Sequence, residues 1–456
     1  MSESTKTNGR GMTRRAFAAM GIAGAGALAA CAGTGPSGAP AKATKVTGTL
    51  QWEIRMGPTY EQLAKEALPI FKERQPDIQV QYTPKADDWM AKDVAGMAAD
   101  TGPDVLTAWS RTVRPFLSKG LALNVNPLLK DLKKADLDDY IKGQWDGYQV
   151  PNTDLRWALP TYTNVCVVFY SKAAFRKAGV PEPTATWTYD DYADRAKRLT
   201  RQDAGQQVYG GYQPSNVWIR MQNQVWGFGG HAVDPNDSAK SAVQLPQTQA
   251  GLQWIYDRYW RDGSWVPFKE RAGNWQWWAD VVNGKLAMGE DGMQSLVNMA
   301  KMNSGDWDIA PVPKGPAAQL SWVEMDGWMI WKNTKARDAA WELVKFLSGT
   351  DFMRMQARIE LLMPARLSLL DEWQQVLRQQ YPSLANVNLR LPRDLATKSP
   401  SPVRVFELFT CQTETEMALD PMIREVIVDG KSTPSIFRDR RGEIDTAAAS
   451  CGATFK

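Results

Sequence analysis

The side chains able to carry catalysis or metal binding are few and rarely stand in the patterns that such chemistry needs. The chain has one histidine, His231, which excludes a metal cage of several histidines and leaves one candidate for a serine–histidine–aspartate triad. Nucleophile elbows, phosphate-binding loops and metal-ligand spacings are missing from the sequence. Two carboxylates could serve a glycosidase, although acidic doublets also occur in solvated loops and at helix starts. The doublets are Asp138-Asp139, Asp190-Asp191 and Glu290-Asp291.

The composition is globular and unusually rich in tryptophan. The 456 residues include 20 tryptophans, with 43% hydrophobic and 23% charged residues overall. These proportions exclude a disordered chain and a multi-span membrane protein. The net charge is +4, but four basic residues and one acidic residue precede Cys31, which leaves 50 basic and 49 acidic residues in the remainder. We therefore expect no nucleic-acid partner.

The first thirty residues have the features of an export signal. Arg14 and Arg15 form a twin-arginine pair, and the apolar stretch 18–30 is shorter than the roughly 20 residues of a permanent membrane span. The sequence Leu-Ala-Ala before Cys31 resembles the bacterial lipobox, in which that cysteine receives the lipid. We predict a twin-arginine lipoprotein signal peptide over 1–30 and a lipid-anchored flexible tether over 31–46, at the outer face of the cytoplasmic membrane. An ordinary secretory leader with a chance cysteine is the alternative.

Three further cysteines follow Cys31, and if Cys31 is lipidated they allow at most one internal disulfide. Cys166 lies in an apolar run, which predicts an inert buried thiol. Cys411 and Cys451 could pair, and the sequence leaves that question open.

Strand and helix patterns alternate along the body of the chain. The opening order is βαβαβ, which predicts a parallel sheet with helices on both faces and ligands at the carboxyl ends of its strands. From 367 onward the chain is expected to be mainly helical. The predicted strands are 46–54, 78–82, 105–108, 165–170 and 322–331. The predicted helices are about 63–71, 87–99, 172–178, 217–227, 246–261, 275–283, 293–302, 336–347 and 351–361, together with one that is capped by 186–191 and runs to about 199.

Several short motifs occur together in an order typical of one family. Their order and spacing resemble those of bacterial extracellular solute-binding proteins of ABC importers, in the sugar-binding, maltose-binding-protein-like branch. The resemblance runs from about residue 49 to 370. The motifs are Gly102-Pro103-Asp104-Val105-Leu106, Phe116-Leu117-Ser118-Lys119-Gly120-Leu121-Ala122, Leu159-Pro160-Thr161-Tyr162-Thr163-Asn164, Tyr170-Ser171-Lys172, Asn283-Gly284-Lys285-Leu286-Ala287-Met288, Ile309-Ala310-Pro311-Val312-Pro313-Lys314-Gly315, and Gly327-Trp328 before the helix around Trp341.

The resemblance implies an α/β, two-lobed periplasmic-binding-protein-like fold with a hinge and a ligand cleft between the lobes. It places the N-terminal lobe at 47–158 plus 312–362 and the C-terminal lobe at 159–311 plus 363–456. The hinge would lie near 159–160, 311–313 and 363–365. Closure about the hinge buries the ligand, and the membrane permease then recognises the closed shape.

The resemblance also implies a set of cleft residues that suits a sugar. A pyranose packs its C–H face on an aromatic ring, here Trp109 or Trp328, while its hydroxyls need charged or amide partners. The hydroxyl-binding candidates are Glu53, Arg55, Asp291 and Arg366. The full predicted set is Trp52, Glu53, Arg55, Trp109, Ser110, Tyr162, Asn164, Trp218, Asp291, Trp322, Gly327, Trp328 and Arg366.

Other tryptophans at helical positions are expected to pack in the core instead. These are Trp187, Trp254, Trp341 and Trp373. The run Trp275, Trp277 and Trp278 could be either a ligand shelf or a buried helix face. His231 is placed in a loop.

The sequence therefore predicts a monomeric substrate-binding lipoprotein that delivers a sugar or oligosaccharide to an ABC transporter permease, without a cofactor or metal. Two alternatives remain open. A glycerol phosphodiester would want several cations in the cleft and a polyamine several carboxylates, whereas the candidates are mixed in sign, as neutral polyols prefer. An exported carbohydrate-active enzyme is the alternative from another class.

Overall fold

A computed structural model describes residues 45–55, 57–85, 89–110, 112–150, 153–273, 275–398 and 401–452. The chain divides at Thr44 into two units, and the structure described below belongs to the second, Lys45–Lys456. The predicted signal peptide, Cys31 and nearly all of the tether lie outside the described residues. Within those ranges, no helix combines the length and apolar character needed to cross a bilayer.

The strands of the described chain are short apart from two that cross its centre. They are β1 (Gly48–Ile54), β2 (Ile78–Pro84), β3 (Val105–Trp109), β4 (Leu159–Ser171), β5 (Arg201–Asp203), β6 (Gln206–Val208), β7 (Val233–Asp234), β8 (Asp237–Ser241), β9 (Met288–Gly292), β10 (Trp307–Ala310), β11 (Ser321–Ile330), β12 (Met363–Pro364) and β13 (Val403–Val405).

Helices surround these strands and dominate the last ninety residues, as predicted. They are α1 (Pro58–Arg74), α2 (Trp89–Ala98), α3 (Arg114–Ser118), α4 (Lys134–Asp138), α5 (Lys142–Gly147), α6 (Lys172–Ala178), α7 (Tyr189–Leu199), α8 (Gln222–Gly227), α9 (Pro246–Trp260), α10 (Trp277–Val282), α11 (Leu296–Met302), α12 (Arg337–Leu347), α13 (Thr350–Ile359), α14 (Leu370–Gln380), α15 (Arg390–Thr397), α16 (Gln412–Ile423), α17 (Ser435–Asp439) and α18 (Arg441–Ala448). Short 3₁₀ turns occur at Asn126–Asp131, Trp218–Met221, Phe268–Glu270, Met293–Ser295, Leu367–Leu369 and Pro382–Asn386, and a π turn at Arg424–Val428.

The main sheet has the strand order β10-β4-β11-β3-β1-β2. β1 pairs in parallel with both β2 and β3, which confirms the predicted βαβαβ opening. β11 returns antiparallel between β3 and β4 and so brings a late segment of the chain into the middle of the sheet. The carboxyl ends of β1 and β3 therefore lie beside the centre of β11.

β4 is the strand on which the two halves of the fold meet. Its residues are all buried, and its first half pairs with β11 in the register Tyr162 to Asp326. Its second half pairs with β9 and β10 instead, with Cys166 opposite Gly292. One strand thus belongs to both halves of the sheet, and the short β12 pairs with it as well.

Each half has its own aromatic core. In the first half, Trp52 and Trp328 pack with helices α1, α12 and α13. The helical tryptophans predicted to pack, Trp187, Trp254, Trp341 and Trp373, are all buried, as expected. Trp277 is also buried, against Phe169 and Tyr212, which favours the packing alternative for that residue.

The structure resolves the open question about the cysteines. Cys411 and Cys451 form a disulfide with their Cα atoms 5.5 Å apart. Cys166 is a fully buried free thiol, as predicted. Burial raises the pKa of this thiol well above its ordinary value, with Glu290 and Asp291 acting in the same direction, so the sulfur stays protonated and unreactive.

Candidate functional site

A row of charged side chains lies across β11. Arg55, which follows β1, pairs with Asp326 at 2.8 Å. Glu324 precedes Asp326 by two residues and lies 3.5 Å from Arg220 of the Trp218–Met221 turn. The other terminal nitrogen of Arg220 lies 3.8 Å from Asp291 of β9. Arg55, Asp326, Glu324, Arg220 and Asp291, called the charged row below, thus link the first half of the fold to the second.

The strand geometry explains why these carboxylates lie together. Side chains two residues apart on a strand leave the same face of the sheet, so Glu324 and Asp326 are neighbours. The opposite strand β4 places Asn164 across from Glu324 and Tyr162 across from Asp326. The amide of Asn164 donates to Glu324 at 3.4 Å.

Each of two tryptophans beside the row has an arginine against it. The guanidinium carbon of Arg55 lies 4.1 Å from the centre of the Trp109 ring, and that of Arg220 lies 4.2 Å from the centre of the Trp322 ring. A second ring approaches each tryptophan, Trp89 at 4.9 Å from Trp109 and Phe406 at 5.2 Å from Trp322. Cation–π contacts of this kind hold both arginines in place.

Several buried polar atoms near the row have no hydrogen-bond partner within the described chain. They are Asp326 Oδ1, Gln294 Oε1 and Arg220 Nη1. Glu360 is only 4% exposed, and Arg55 and Asp326 both influence its ionisation, which places it in the same electrostatic environment. A buried polar atom without a partner costs about 1–3 kcal/mol, so a ligand with many hydroxyls would stabilise this region.

Burial changes the ionisation of these acids. It raises the pKa of Asp326 to about 6, although Arg55 opposes the change. Burial also raises the pKa of Glu360 to about 8, against the effects of the nearby Gln356 amide and of Arg55. At neutral pH, Glu360 is therefore mainly protonated and can donate a hydrogen bond as well as accept one.

Behind the row, a buried carboxyl group supports Trp322. Glu290 accepts hydrogen bonds from the side-chain amides of Gln213, Asn223 and Gln224 at 2.8, 2.9 and 3.1 Å. Burial raises its pKa to about 7 despite these bonds. Asn223 in turn accepts from the backbone N–H of Trp322 at 2.7 Å, so this network fixes the strand next to Arg220.

The acidic doublets have structural partners in the described chain. Asp191 caps α7 in a capping box with Thr188, and Asp139 binds Arg366 and Ser368. Glu290 has the three amides, while Asp291 accepts from Ser295 at 2.9 Å. Because each has such a role, the doublets give no support to a glycosidase pair.

Some predicted site residues do come together. Arg55 and Asp291 belong to the charged row, and Trp109, Trp322 and Asn164 contact it directly. Tyr162 is paired with Asp326 across the strands and is buried.

Trp52 and Trp328, by contrast, lie in the core, contrary to the prediction that they line the cleft. Both are 0% exposed, and their ring centres lie 5.7 Å apart. The Trp328 indole N–H donates to the carbonyl of Leu347 at 3.0 Å, and its ring also contacts Phe352. The period of two along β11 cannot distinguish the core end of the strand from the cleft end, and Trp328 lies at the core end.

Arg366 and Trp218 also have packing roles instead of the predicted ligand contacts. Arg366 donates to the carbonyls of Ser348 and Asp136 at 2.8 and 3.0 Å and lies over the Tyr140 ring. These bonds fix the chain after β12 to the α4 region. Trp218 is buried, and its ring centre lies 5.5 Å from that of Phe437.

The remaining predictions concern residues at the edge of this region. Glu53 lies with Lys85 and Asp93 beside α2, and burial raises its pKa to about 7, with Lys85 opposing. Ser110 is buried, and its backbone N–H donates to the Met325 carbonyl at 2.9 Å. Gly327 follows a β-bulge in β11, where a Cβ atom would collide with the Tyr148 ring. These three residues do not contact the charged row through any side-chain bond of the described chain.

Four residues of this region are absent from the set predicted from the sequence, namely Arg220, Glu324, Asp326 and Glu360. The sequence pattern indicated two of them, because Glu324 and Asp326 lie between Trp322 and Trp328 in an otherwise apolar predicted strand. Acidic residues are rarely buried unless they are paired. Arg220 and Glu360 had no such signal, since they reach the row only through the tertiary fold.

Comparison with known proteins identifies the family. The family model described as bacterial extracellular solute-binding protein matches residues 52–353, about two thirds of the chain. The chain belongs to this family. The solute-binding protein also shares 25% identity over 391 residues with the erythritol/L-threitol-binding protein of Mycolicibacterium smegmatis, covering 75% of this chain and 78% of that relative.

Solved structures confirm the two-lobed α/β fold expected from the sequence. An ABC substrate-binding protein of Listeria monocytogenes, in complex with cycloalternan, matches with a TM-score of 0.75 and 19% identity, over 90% of this solute-binding protein and 100% of that chain. A protein of Mycobacterium tuberculosis in complex with glycerophosphocholine matches with a TM-score of 0.70 and 18% identity, over 88% and 98% of the two chains. At these identities, the likeness concerns the fold.

Proposed function

We propose that this solute-binding protein captures a sugar or polyol outside the cytoplasmic membrane and delivers it to the permease of an ABC transporter. The observation that carries the proposal is the charged row, in which Asp326 Oδ1 and Arg220 Nη1 are buried and have no hydrogen-bond partner within the described chain. A neutral molecule with many hydroxyls can bind negatively charged carboxylates and positively charged guanidinium groups at the same time. The M. smegmatis relative, named for binding erythritol and L-threitol, supports this ligand class.

The charges of the row disfavour the ionic alternatives. Arg55 and Arg220 are each paired with a carboxylate, so neither is free to neutralise a phosphodiester. Conversely, a polyamine would have to compete with these two guanidinium groups for Asp326 and Glu324. A neutral polyhydroxyl ligand can bind without breaking the ion pairs between these arginines and carboxylates, and it therefore fits the row best.

We place the N-terminal lobe at 47–158 plus 312–362 and the C-terminal lobe at 159–311 plus 363–456. The strand pairing supports β4 as a connection between the two lobes, since its first half pairs with β11 and its second half with β9 and β10. The hinge would comprise 159–160, 311–313 and 363–365, and the charged row has residues from both proposed lobes. A ligand that bridges the row would favour the closed arrangement.

Export by the twin-arginine signal and lipidation of Cys31 complete the proposal. They are supported by the order of the Arg14–Arg15 pair, the apolar stretch and the lipobox in the sequence. The anchored protein would act as a monomer at the outer face of the cytoplasmic membrane, where the permease is accessible.

A thermal-shift screen of the full-length protein tests the ligand class. Ligands that bind only the folded state raise the melting temperature by mass action. We expect a rise with at least one sugar or polyol, and a smaller rise in the Asp326→Asn variant at the same concentration. A rise with glycerophosphocholine or spermidine but with no sugar or polyol would overturn the proposal.

A further inference from the structure

A cavity away from the charged row lies in the proposed C-terminal lobe, between the end of α9, residues 263–270 and the π turn. Its volume of about 300 Å³ falls at the lower end of the range for small-molecule sites. All of its lining residues in the described chain lie outside the charged row. Its walls are mainly aromatic and are formed by Tyr209, Tyr259, Trp260, Trp265 and Phe268.

Trp260 gives this cavity an accessible aromatic face. It is 44% exposed, more than any other tryptophan of the described residues. Its indole N–H donates to the carbonyl of Ile427 at 3.3 Å, so the polar atom of the ring is satisfied by the protein. Gly430, outside the cavity lining, lies against the ring so closely that a Cβ atom there would come within 2.6 Å of it. The ring is therefore held in place, and a ligand would lose little affinity in ordering it.

Phe268 is a second wall that the protein fixes from outside the cavity. The guanidinium carbon of Arg271 lies 3.9 Å from the centre of the Phe268 ring. The same guanidinium donates to the carbonyl of Val266 at 2.6 Å and to the hydroxyl of Tyr259 at 2.7 Å. Because Arg271 lies outside the cavity lining and binds these groups, it supports the wall and leaves the cavity side of Phe268 to a ligand.

Polar groups of both signs border the aromatic walls. The Tyr209 hydroxyl donates to Glu270 Oε1 at 2.6 Å, and Glu270 and Lys269 are both exposed lining residues. An anion would be repelled by Glu270 and an organic cation by Lys269, while a wholly apolar molecule would cover these charges without binding them. A neutral ring that has one C–H face and a rim of hydroxyls meets both the aromatic surface and the polar border.

We propose that this cavity is a second carbohydrate site, in which a sugar ring packs its C–H face on Trp260 and binds Glu270 and Lys269 through its hydroxyls. The ring could belong to a free sugar or to the end of a longer glycan, since both present the same chemistry. The site goes beyond the proposed function, because it shares no residue with the charged row and would hold sugar on the C-terminal lobe independently of the cleft.

Saturation-transfer difference NMR of the full-length protein tests this site. The probes are the methyl glycosides of glucose, galactose, mannose and N-acetylglucosamine, whose rings cannot open, and maltotriose as a glycan end. We expect at least one probe to bind, and Trp260→Ala to weaken that binding at least about tenfold. Leu367→Ala, which truncates a side chain of similar exposure elsewhere on the surface, is the matched control and should leave it unchanged. Binding of a methyl glycoside would support a free sugar as the source, and binding of maltotriose alone would support a glycan end.

Two further variants separate this site from the cleft. Asp326→Asn in the charged row should leave the Trp260-dependent signal unchanged, even where it abolishes binding in the cleft, so the two proposals can fail separately. Glu270→Gln, at an exposed position, should weaken the same signal and decides the test if Trp260→Ala does not fold. The site would be overturned if no probe gave a signal that depends on Trp260 or Glu270, or if choline alone gave one.

Discussion

Asp326 and Arg55 form an ion pair whose members differ in exposure, with 2% of the aspartate side chain and 30% of the arginine side chain accessible to water. The pair is therefore asymmetric. Water can solvate the guanidinium if the carboxylate is removed, but it cannot reach the carboxylate if the guanidinium is removed.

Arg55→Met is expected to destabilise the protein more than Asp326→Asn does. Loss of the cation leaves a buried carboxylate, which costs about 3–5 kcal/mol when it is charged. The decrease in unfolding free energy caused by Arg55→Met should be smaller at pH 5.5 than at pH 8. The reason is that the pKa of Asp326 is already about 6 and would rise further without Arg55, so that the carboxyl group is largely protonated at the lower pH. Urea unfolding at the two pH values measures this difference. Equal decreases in unfolding free energy at both pH values would contradict the raised pKa of Asp326.

Stability is expected to fall between about pH 4.5 and pH 8. Burial raises the pKa of Glu360 to about 8, of Glu290 to about 7 and of Asp326 to about 6, so the folded state holds protons that the unfolded chain has released. Unfolding free energy therefore decreases as pH rises through this window. Glu360→Gln should reduce that decrease by at least about 1 kcal/mol, since one pH unit of separation corresponds to about 1.4 kcal/mol. Denaturant titrations at pH 5 and pH 8.5 would show whether the unfolding free energy of the variant changes less with pH than that of the native protein.

Trp328→Ala is expected to destabilise the unliganded protein by about 3–5 kcal/mol, because the ring is wholly buried. Trp341→Ala, which also opens a cavity in the first core, serves as its matched control. Trp109→Ala should cost less, since that ring is partly exposed and its contact with Arg55 is worth about 0.5–2 kcal/mol. A melting temperature for Trp109→Ala as low as that for Trp328→Ala would show that Trp109 is a core residue too.

Breaking the disulfide should weaken the C-terminal region without altering ligand affinity. Cys411 and Cys451 are 40 residues apart, and closing a loop of this length constrains the unfolded chain by about 3–4 kcal/mol. The double variant Cys411→Ser with Cys451→Ser should melt at a lower temperature than the oxidised native protein. A reduced native sample provides the control, and equal melting of oxidised and reduced protein would contradict the expectation.

Cys31→Ala is expected to abolish lipidation and leave the protein released or retained as a precursor. The lipid is attached through the thiol in the proposed lipobox, so alanine offers no attachment point. Labelling with a fatty-acid probe measures the effect, with Cys166→Ala as a control that keeps the lipobox intact. A lipid signal in the Cys31→Ala variant would refute the anchor.

Local signals in the sequence were sufficient for several elements. The predicted helix 172–178 agrees with α6. Gly179 ends it in a left-handed conformation, and the structure adds that Ser171 caps its first turn. The first half of β4 was missed. Pro160 and the polar residues after it resemble a loop, and only pairing with β11 and β12 makes them a strand.

The site was predictable only in part for a related reason. Arg55 and Asp291 were expected because the family resemblance places both residues in the cleft. Arg220 is about a hundred residues from Glu324 in the chain, and no local pattern connects them. For Trp328 the local pattern was present but ambiguous, since the alternation of residues along β11 is the same whether the Trp328 ring faces a core or a cleft.

The continuous backbone of β4 makes the two halves of this protein inseparable as folding units. A fragment ending before Leu159 lacks both β4 and β11, so β3 loses its β11 neighbour, while a fragment starting there keeps β11 but exposes the edge that pairs with β3. Unfolding should therefore be a single cooperative transition. Chimaeras with altered ligand preference are accordingly better made by grafting the segments that bear Arg55, Arg220 and Asp291 than by exchanging whole halves between homologues.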